Sequence, residues 1–381
     1  METSRLRISS VEAYPISVPI RPEFIIASAL GEHRVSRPVI VIVRTDDGLA
    51  GCGDASVTPV WSGETQAGAL AAVREVLAPL LIGRDPLHVA SLADAMDRAL
   101  IGNPFAKAAL EMALLDLAGK ALNVPAHIML GGPRRPPEIP LKFSIGAFPP
   151  AAAARVAETV ASQGLRAVKV KVGMELSLDV ARVQAVRSAL GDGFPIGVDA
   201  NGGWSESVAV AALPHLERLG VNVIEQPLRR GDFRGCARLR RRTSIPVMLD
   251  ESVFTREDAL EAIRWDACDL IGIYPGKNAG VWRSLEIAHL AAAAGLECVI
   301  GSNLETEIAT AAMLHLAVSM PNLAVSVGHD IIGPLYHTRR IGVEPIRVQD
   351  GCAVLPAGAG LGVAVDMASL AEVTNACATG A

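Results

Sequence analysis

The stretch Arg166–Gly173, RAVKVKVG, alternates valine with lysine, and its reading decides the fold. Residues two apart on a strand share a face, so Val168, Val170 and Val172 point one way while Lys169 and Lys171 point the other. After Gly173 comes a stretch with helical spacing, and the same unit recurs from about residue 140 onward. The strand-like runs are IPLKFSI, RAVKVKVG, FPIGVDAN, VNVIEQP, IPVMLDES, DLIGIYP, ECVIGSN and LAVSVGHD. Eight such runs, roughly 25 to 30 residues apart, predict an α/β fold of the TIM type: a closed parallel (β/α) barrel whose last unit is irregular. The valines of RAVKVKVG then face the surrounding helices, and the two lysines enter the barrel interior.

The segment before the barrel has a different grammar. VEAYPISVPI and RPVIVIVRTDDGLAGCG are strand-like, with the DDG triplet as a hairpin turn, and helical stretches run from about Ser62 to Leu122. Residues 1–135 are therefore read as an α+β capping domain, residues 136–345 as the barrel, and residues 346–381 as a tail, including CAVLPAGAGLGVAVD, that packs back on the cap.

Composition narrows the function. In 381 residues, half are apolar and a fifth are charged, so a large core is affordable and disorder is not indicated. A net charge of −5 with scattered basic residues offers no cationic stripe for nucleic acid. The opening METSRLRISSVEAY lacks the apolar core of a signal peptide, and no long apolar run predicts a membrane span. Six dispersed cysteines (Cys52, Cys236, Cys268, Cys298, Cys352, Cys377) form no CxxC pair, which argues against zinc or a disulfide framework and fits a reducing cytoplasm.

In a barrel of this type the reactive groups stand at the C-terminal ends of strands. The second strand carries Lys169 and Lys171; the third ends in Asp199 with Asn201, the fourth in Glu225, and the fifth in Asp250 followed by Glu251. Three carboxylates converging from neighbouring strands repel one another unless cations lie between them. Ligation by oxygen alone favours Mg²⁺, with Mn²⁺ as the alternative, over zinc. The other reading of the same cluster is a structural network of ion pairs. A lysine beside a divalent cation has its ammonium form disfavoured and can serve as a base. Proton abstraction next to a carboxylate is the chemistry this combination predicts.

At these residues the sequence resembles the enolase superfamily, specifically the muconate-lactonizing (muconate cycloisomerase) subgroup of the mandelate racemase/muconate-lactonizing enzyme family. The resemblance rests on GLAGCGDASVTPVWSGET and NPFAKAALEMALLDLAGKALNVPAHIMLGG in the cap, and on KVKVG, VDANGGW, IEQPL, LDES and GSNLET in the barrel, and spans essentially the whole chain. It implies that Asp199, Glu225 and Asp250 bind Mg²⁺ and that Lys171 is the general acid/base acting through an enediolate. Lys169 would help to hold the carboxylate of a small-molecule substrate. Glu251 and Asn201 would support the metal site, Asn201 being equally readable as a turn former. Glu305 and Asp330, at the seventh and eighth strand ends, would touch substrate or orient the lysines, unless they are loop charges. His329 and His337 are not read as bases, and a homo-oligomer is expected.

The departure lies in DLIGIYPGKNAG, Asp269–Gly280, where relatives usually end the sixth strand with a second lysine facing Lys171. Here Tyr274, one of three tyrosines, stands in that place, and Lys277 matches a loop lysine of the pattern. A phenol, with a reference pKa of about 10, is a poor base at neutral pH but can donate a hydrogen bond or a proton. The expectation is a one-base, cycloisomerase-like or eliminating reaction. The alternatives are a racemase, epimerase or dehydratase using Tyr274, or a metal-binding barrel without catalysis; core filling is the other reading of Tyr274. Two cap segments, RPEFIIASALGEH with Phe24 and Ile26 and TPVWSGE with Trp61, resemble the loops that close over substrate and would form an apolar lid.

Overall fold

The computed structural model describes residues 6–379, with side chains as far as Thr374, so METSR, the side chain of Cys377 and the last two residues lie outside the described part. Three cap strands, β1 (Ile8–Pro15), β2 (Val39–Thr45) and β3 (Ala50–Ala55), form an antiparallel sheet in that order. The β2–β3 turn is the expected DDG hairpin: Gly48 takes φ 91°, and its N–H donates to Thr45 O at 3.2 Å. A small hairpin, Ile26–Ser28 against Gly31–His33, forms a separate two-stranded sheet. Helix α1 (Pro104–Leu122) is buried on all sides from Phe105 to Gly119, which accounts for its apolar sequence without a polar stripe. It lies so close to β3 that a Cβ added at Gly53 would stand 1.7 Å from the Ala109 carbonyl oxygen.

Seven parallel strands make the barrel wall: β4 (Phe143–Ile145), β5 (Val168–Lys171), β6 (Ile196–Asp199), β7 (Val223–Glu225), β8 (Val247–Leu249), β9 (Leu270–Ile273) and β10 (Glu297–Ile300). Between and after them run α2 (Pro150–Ser162), α3 (Leu176–Leu190), α4 (Glu206–Arg218), α5 (Phe233–Arg240), α6 (Arg256–Arg264), α7 (Val281–Ala293) and α8 (Glu307–Ser319). The eighth run, LAVSVGHD, is not a regular strand. Its middle bulges outward, leaving Val325 88% exposed, while its two ends make the closing contacts. Leu323 bridges Cys298, His329 bridges Leu141, and Lys142 N–H donates to His329 O at 2.9 Å. The barrel is thus closed by a segment that pairs only at its ends.

The two-residue alternation of strands divides the interior into layers. Low in the barrel, Val223, Met248, Leu270 and Val299 pack with Ala324 and Val327 as an apolar plug. One step further along the same inward faces come Glu225, Asp250, Gly272 and Gly301. The tail adds Cys352–Val354 to Glu138–Pro140 as an antiparallel strand; further on, Leu361 N–H donates to Asp116 on α1 (2.8 Å), and Ser17 N–H in the cap to Val373 O (3.3 Å).

Because α1 has no room to retreat from β3, Gly53→Ala is expected to lose about 3 kcal/mol of stability or to be recovered insoluble, read as a lowered midpoint of urea unfolding.

Candidate active site

Parallel register brings the charged ends together: Lys171 lies opposite Asp199, and Asp199 opposite Glu225. Lys171 Nζ donates to Asp199 Oδ2 at 2.6 Å and to Asn201 Oδ1 at 2.9 Å. Lys169 Nζ donates to both Glu225 oxygens, at 3.0 and 2.9 Å, and to Asp330 Oδ2 at 3.0 Å. Two further lysines complete the pattern. Lys142 Nζ stands 3.0 Å from Asp330, and Lys277 Nζ donates to the carboxylate and the carbonyl of Asp250 at 2.5 and 2.7 Å. All four ammonium groups and all four carboxylates are buried.

Asn201 sits at φ 43°, a left-handed conformation that asparagine tolerates, and turns its amide toward the lysine. Its Nδ2 donates to Glu251 Oε1 at 2.7 Å, and that same oxygen accepts the indole N–H of Trp61 at 3.1 Å. The second Glu251 oxygen is buried with no hydrogen-bond partner. Burial, reinforced by Asp250 and Asp199, pushes the Glu251 carboxyl up to about 7, and burial together with Asp199 pushes Glu225 up to about 8. Burial opposes the charges of Lys169 and Asp330. Asp330, Glu225 and Asp199 nevertheless hold the Lys169 ammonium well above its ordinary range, and Lys142 and Lys169 hold the Asp330 carboxyl well below its own.

These donors fit a hard divalent cation. Asp199, Glu225 and Asp250 are three carboxylates from successive strand ends, their mutual repulsion shows in the upward shift of Glu225, and Glu251 leaves an orphaned oxygen beside them. Among the described residues no three acidic, histidine or cysteine side chains are already gathered as a cation cage; each of the three carboxylates is instead drawn to an ammonium group.

The cavity above this cluster measures about 120 Å³, and its walls include Lys169, Lys171, Asp199, Asn201, Glu225, Asp250 and Asp330, with Ile26 and Trp61 from the cap. Four predicted residues do not line it. Phe24 is buried below the lid, edge-on to Phe143 and Tyr336, with centroids 4.9 and 6.0 Å apart. Glu251 lies behind Asn201 and Trp61. Glu305 is turned into its own loop, accepting from Ser302 Oγ at 2.5 Å and Asn303 N–H at 2.8 Å.

Tyr274 is the fourth. Trp61 covers it, the rings tilted 32° with centroids 5.3 Å apart, and Phe254 flanks the same indole at 5.2 Å. On its other side the tyrosine ring packs on Gly301, where an added Cβ would lie 2.8 Å from the ring. Burial and then Asp250 push its phenol well above the ordinary tyrosine range. The sequence reading missed Lys142 and Lys277 as members of the site. Lys142 was accessible to it, since it shares the inward face of IPLKFSI with Ser144. Lys277 was not, because only the fold of the loop, pinned by Asn278 Oδ1 accepting from Tyr274 N–H at 3.1 Å, aims it at Asp250.

Residues 11–131 match the model of the mandelate racemase / muconate lactonizing enzyme N-terminal domain, and residues 151–369 that of the enolase C-terminal domain-like family. The chain belongs to the mandelate racemase/muconate-lactonizing enzyme family of the enolase superfamily. It is 32% identical to the N-succinyl-L-Arg/Lys racemase of Bacillus cereus over 97% of this chain and 98% of the relative. It is 34% identical to muconate cycloisomerase 1 of Rhodococcus opacus, over 95% and 97%. Among solved structures, the dipeptide epimerase of Cytophaga hutchinsonii, complexed with Mg and the dipeptide D-Ala-L-Val, superposes with a TM-score of 0.91 at 30% identity, covering 96% of this chain and 98% of that one. Relatives in this family are thus cycloisomerases, racemases and epimerases. No helix among the described residues is long and apolar enough to cross a membrane.

Removing Lys277 leaves the buried Asp250 carboxylate without its ion-pair partner. Lys277→Met is therefore expected to cost about 3–5 kcal/mol in chemical denaturation, well beyond the effect of an exposed lysine.

Proposed function

We propose that the protein is a Mg²⁺-dependent enzyme that adds or removes the proton on the carbon next to a carboxylate, with Lys171 as its single acid/base. The observation that carries this reading is the asymmetry of the cavity. Lys171 reaches it from β5, while across the barrel, beyond the end of β9, the indole of Trp61 covers Tyr274. Asp199, Glu225 and Asp250 would hold the cation, with Mn²⁺ as a possible substitute. When bound, it supplies a Lewis acid for the negative charge that develops on the substrate carboxylate.

The chain's own groups supply the rest. Lys169, kept charged by Asp330, Glu225 and Asp199, pairs with the substrate carboxylate and fixes its orientation. Lys171 moves the proton, and Asn201 Oδ1 restrains its ammonium at 2.9 Å. Ile26 and Trp61 exclude water from above. A cycloisomerisation or a syn elimination needs only this one face. Racemisation, epimerisation or a dehydration assisted by Tyr274 would need a proton to pass through a phenol that is covered by an indole and hard to ionise. A metal-binding barrel without catalysis has less support, since both lysines of β5 line the cavity. A cytoplasmic homo-oligomer completes the proposal.

Lys171→Ala is expected to lower Mg²⁺-dependent turnover by about 10³-fold or more, and Tyr274→Phe to retain activity within about threefold. Proton NMR in D₂O should find deuterium entering one face of the α-carbon in wild type. Label on both faces, or loss of activity in Tyr274→Phe, would return the reaction to the racemase or dehydratase class.

A further inference from the structure

The charge on the cavity wall limits what the substrate can carry beyond its reacting carboxylate. Among the described residues, Lys169 and Lys171 are the only lysine or arginine side chains lining the cavity, and both are already paired with carboxylates of the site. Away from these lysines the wall is Ile26, Leu30, Val60, Trp61, Leu304 and Ile332, broken by small hydroxyl and amide groups. Two ionisable side chains stand in the hairpin that overhangs this end, and neither favours an anion. Glu32 is an acid, ion-paired at 2.6 Å with the exposed Arg34, which is not among the residues that line the cavity. His33 shares a hydrogen bond of 3.0 Å with Ser36, and burial pushes its imidazole down to about 4, so it is neutral at physiological pH.

A second carboxylate on the substrate would therefore lose its hydration against apolar side chains, with an acid as its charged neighbour on the wall and no further lining cation to pair with. A neutral body meets no such cost and gains from burial against Trp61 and the aliphatic groups. We propose that the substrate is a monocarboxylate whose remaining part is uncharged and largely apolar, that dicarboxylates of the muconate or N-succinyl amino acid kind are discriminated against, and that the one-face reaction is accordingly an elimination or a ring closure by a neutral group rather than by a second carboxylate. This rests on the reading of Lys169, Lys171 and the cation as the carboxylate-binding end, and it separates the chain from relatives named for such diacids.

The test compares acids that differ only in the second carboxylate, using the intact protein loaded with Mg²⁺. Hexanoate against hexanedioate, and N-acetyl-leucine against N-succinyl-leucine, are titrated calorimetrically at physiological ionic strength. In whichever pair binds, the monoacid is expected to bind about tenfold more tightly or better. Equal or tighter binding of the diacid would overturn the inference and leave the proposed chemistry standing. If no acid binds at millimolar concentration, the carboxylate-binding role of Lys169 and the cation fails and the inference falls with it.

Discussion

The rest of the site depends on one constraint: charges buried inside the mouth of the barrel must alternate in sign. Lys142, Lys169, Lys171 and Lys277 are threaded among Asp199, Glu225, Asp250 and Asp330, each ammonium within 3.0 Å of a carboxylate oxygen. None of these groups could be buried alone, because an isolated ion loses hydration worth far more than local packing returns. Parallel register is what makes the alternation possible, since it sets strand ends side by side at a fixed spacing. The apolar plug of Val223, Met248, Leu270 and Val299 beneath keeps water from entering from below. Pairing does not remove every cost: Glu225 is still held up at about 8 by burial and by the anion next to it.

Much of this was legible in the sequence because barrel strands are short and strictly alternating. Once RAVKVKVG is read as a strand with its valines outward, the inward lysines and the carboxylates at the next three strand ends follow from periodicity. What escaped did so for physical reasons. LAVSVGHD looks like a strand by composition, but it pairs only near Leu323 and His329, and the bulge between them is a property of barrel closure rather than of local propensity. Phe24 reads as a lid residue from its proline-bounded loop, yet the loop's next turn buries it on Phe143 and leaves Ile26 facing the cavity. Lys277 depends on a loop whose geometry Asn278 imposes, and nothing periodic announces such a turn.

Tyr274 illustrates how one exchange propagates through packing. A lysine at this position, as the family resemblance leads one to expect, would need a carboxylate partner and an open approach to the cavity. A tyrosine needs neither. Its ring is accommodated by Gly301 on one side and offers an aromatic surface on the other, and Trp61 from the cap takes that surface together with Phe254. The consequence is steric: at this wall the indole, and not the phenol, faces the cavity.

That indole also ties the cap to Lys171. Trp61 N–H is satisfied by Glu251, Glu251 by the Asn201 amide, and the Asn201 carbonyl accepts from Lys171. If the cap segment carrying Trp61 lifted, Glu251 would lose a donor from a carboxylate that already has one oxygen unpaired, and its pull on Asn201 would strengthen. Asn201 cannot answer by rotating freely: its backbone N–H is held by Asp199 Oδ1 at 2.9 Å, and its φ of 43° belongs to a narrow allowed region. The indole that covers Tyr274 thus ends a hydrogen-bonded chain that runs through Glu251 and Asn201 to Lys171.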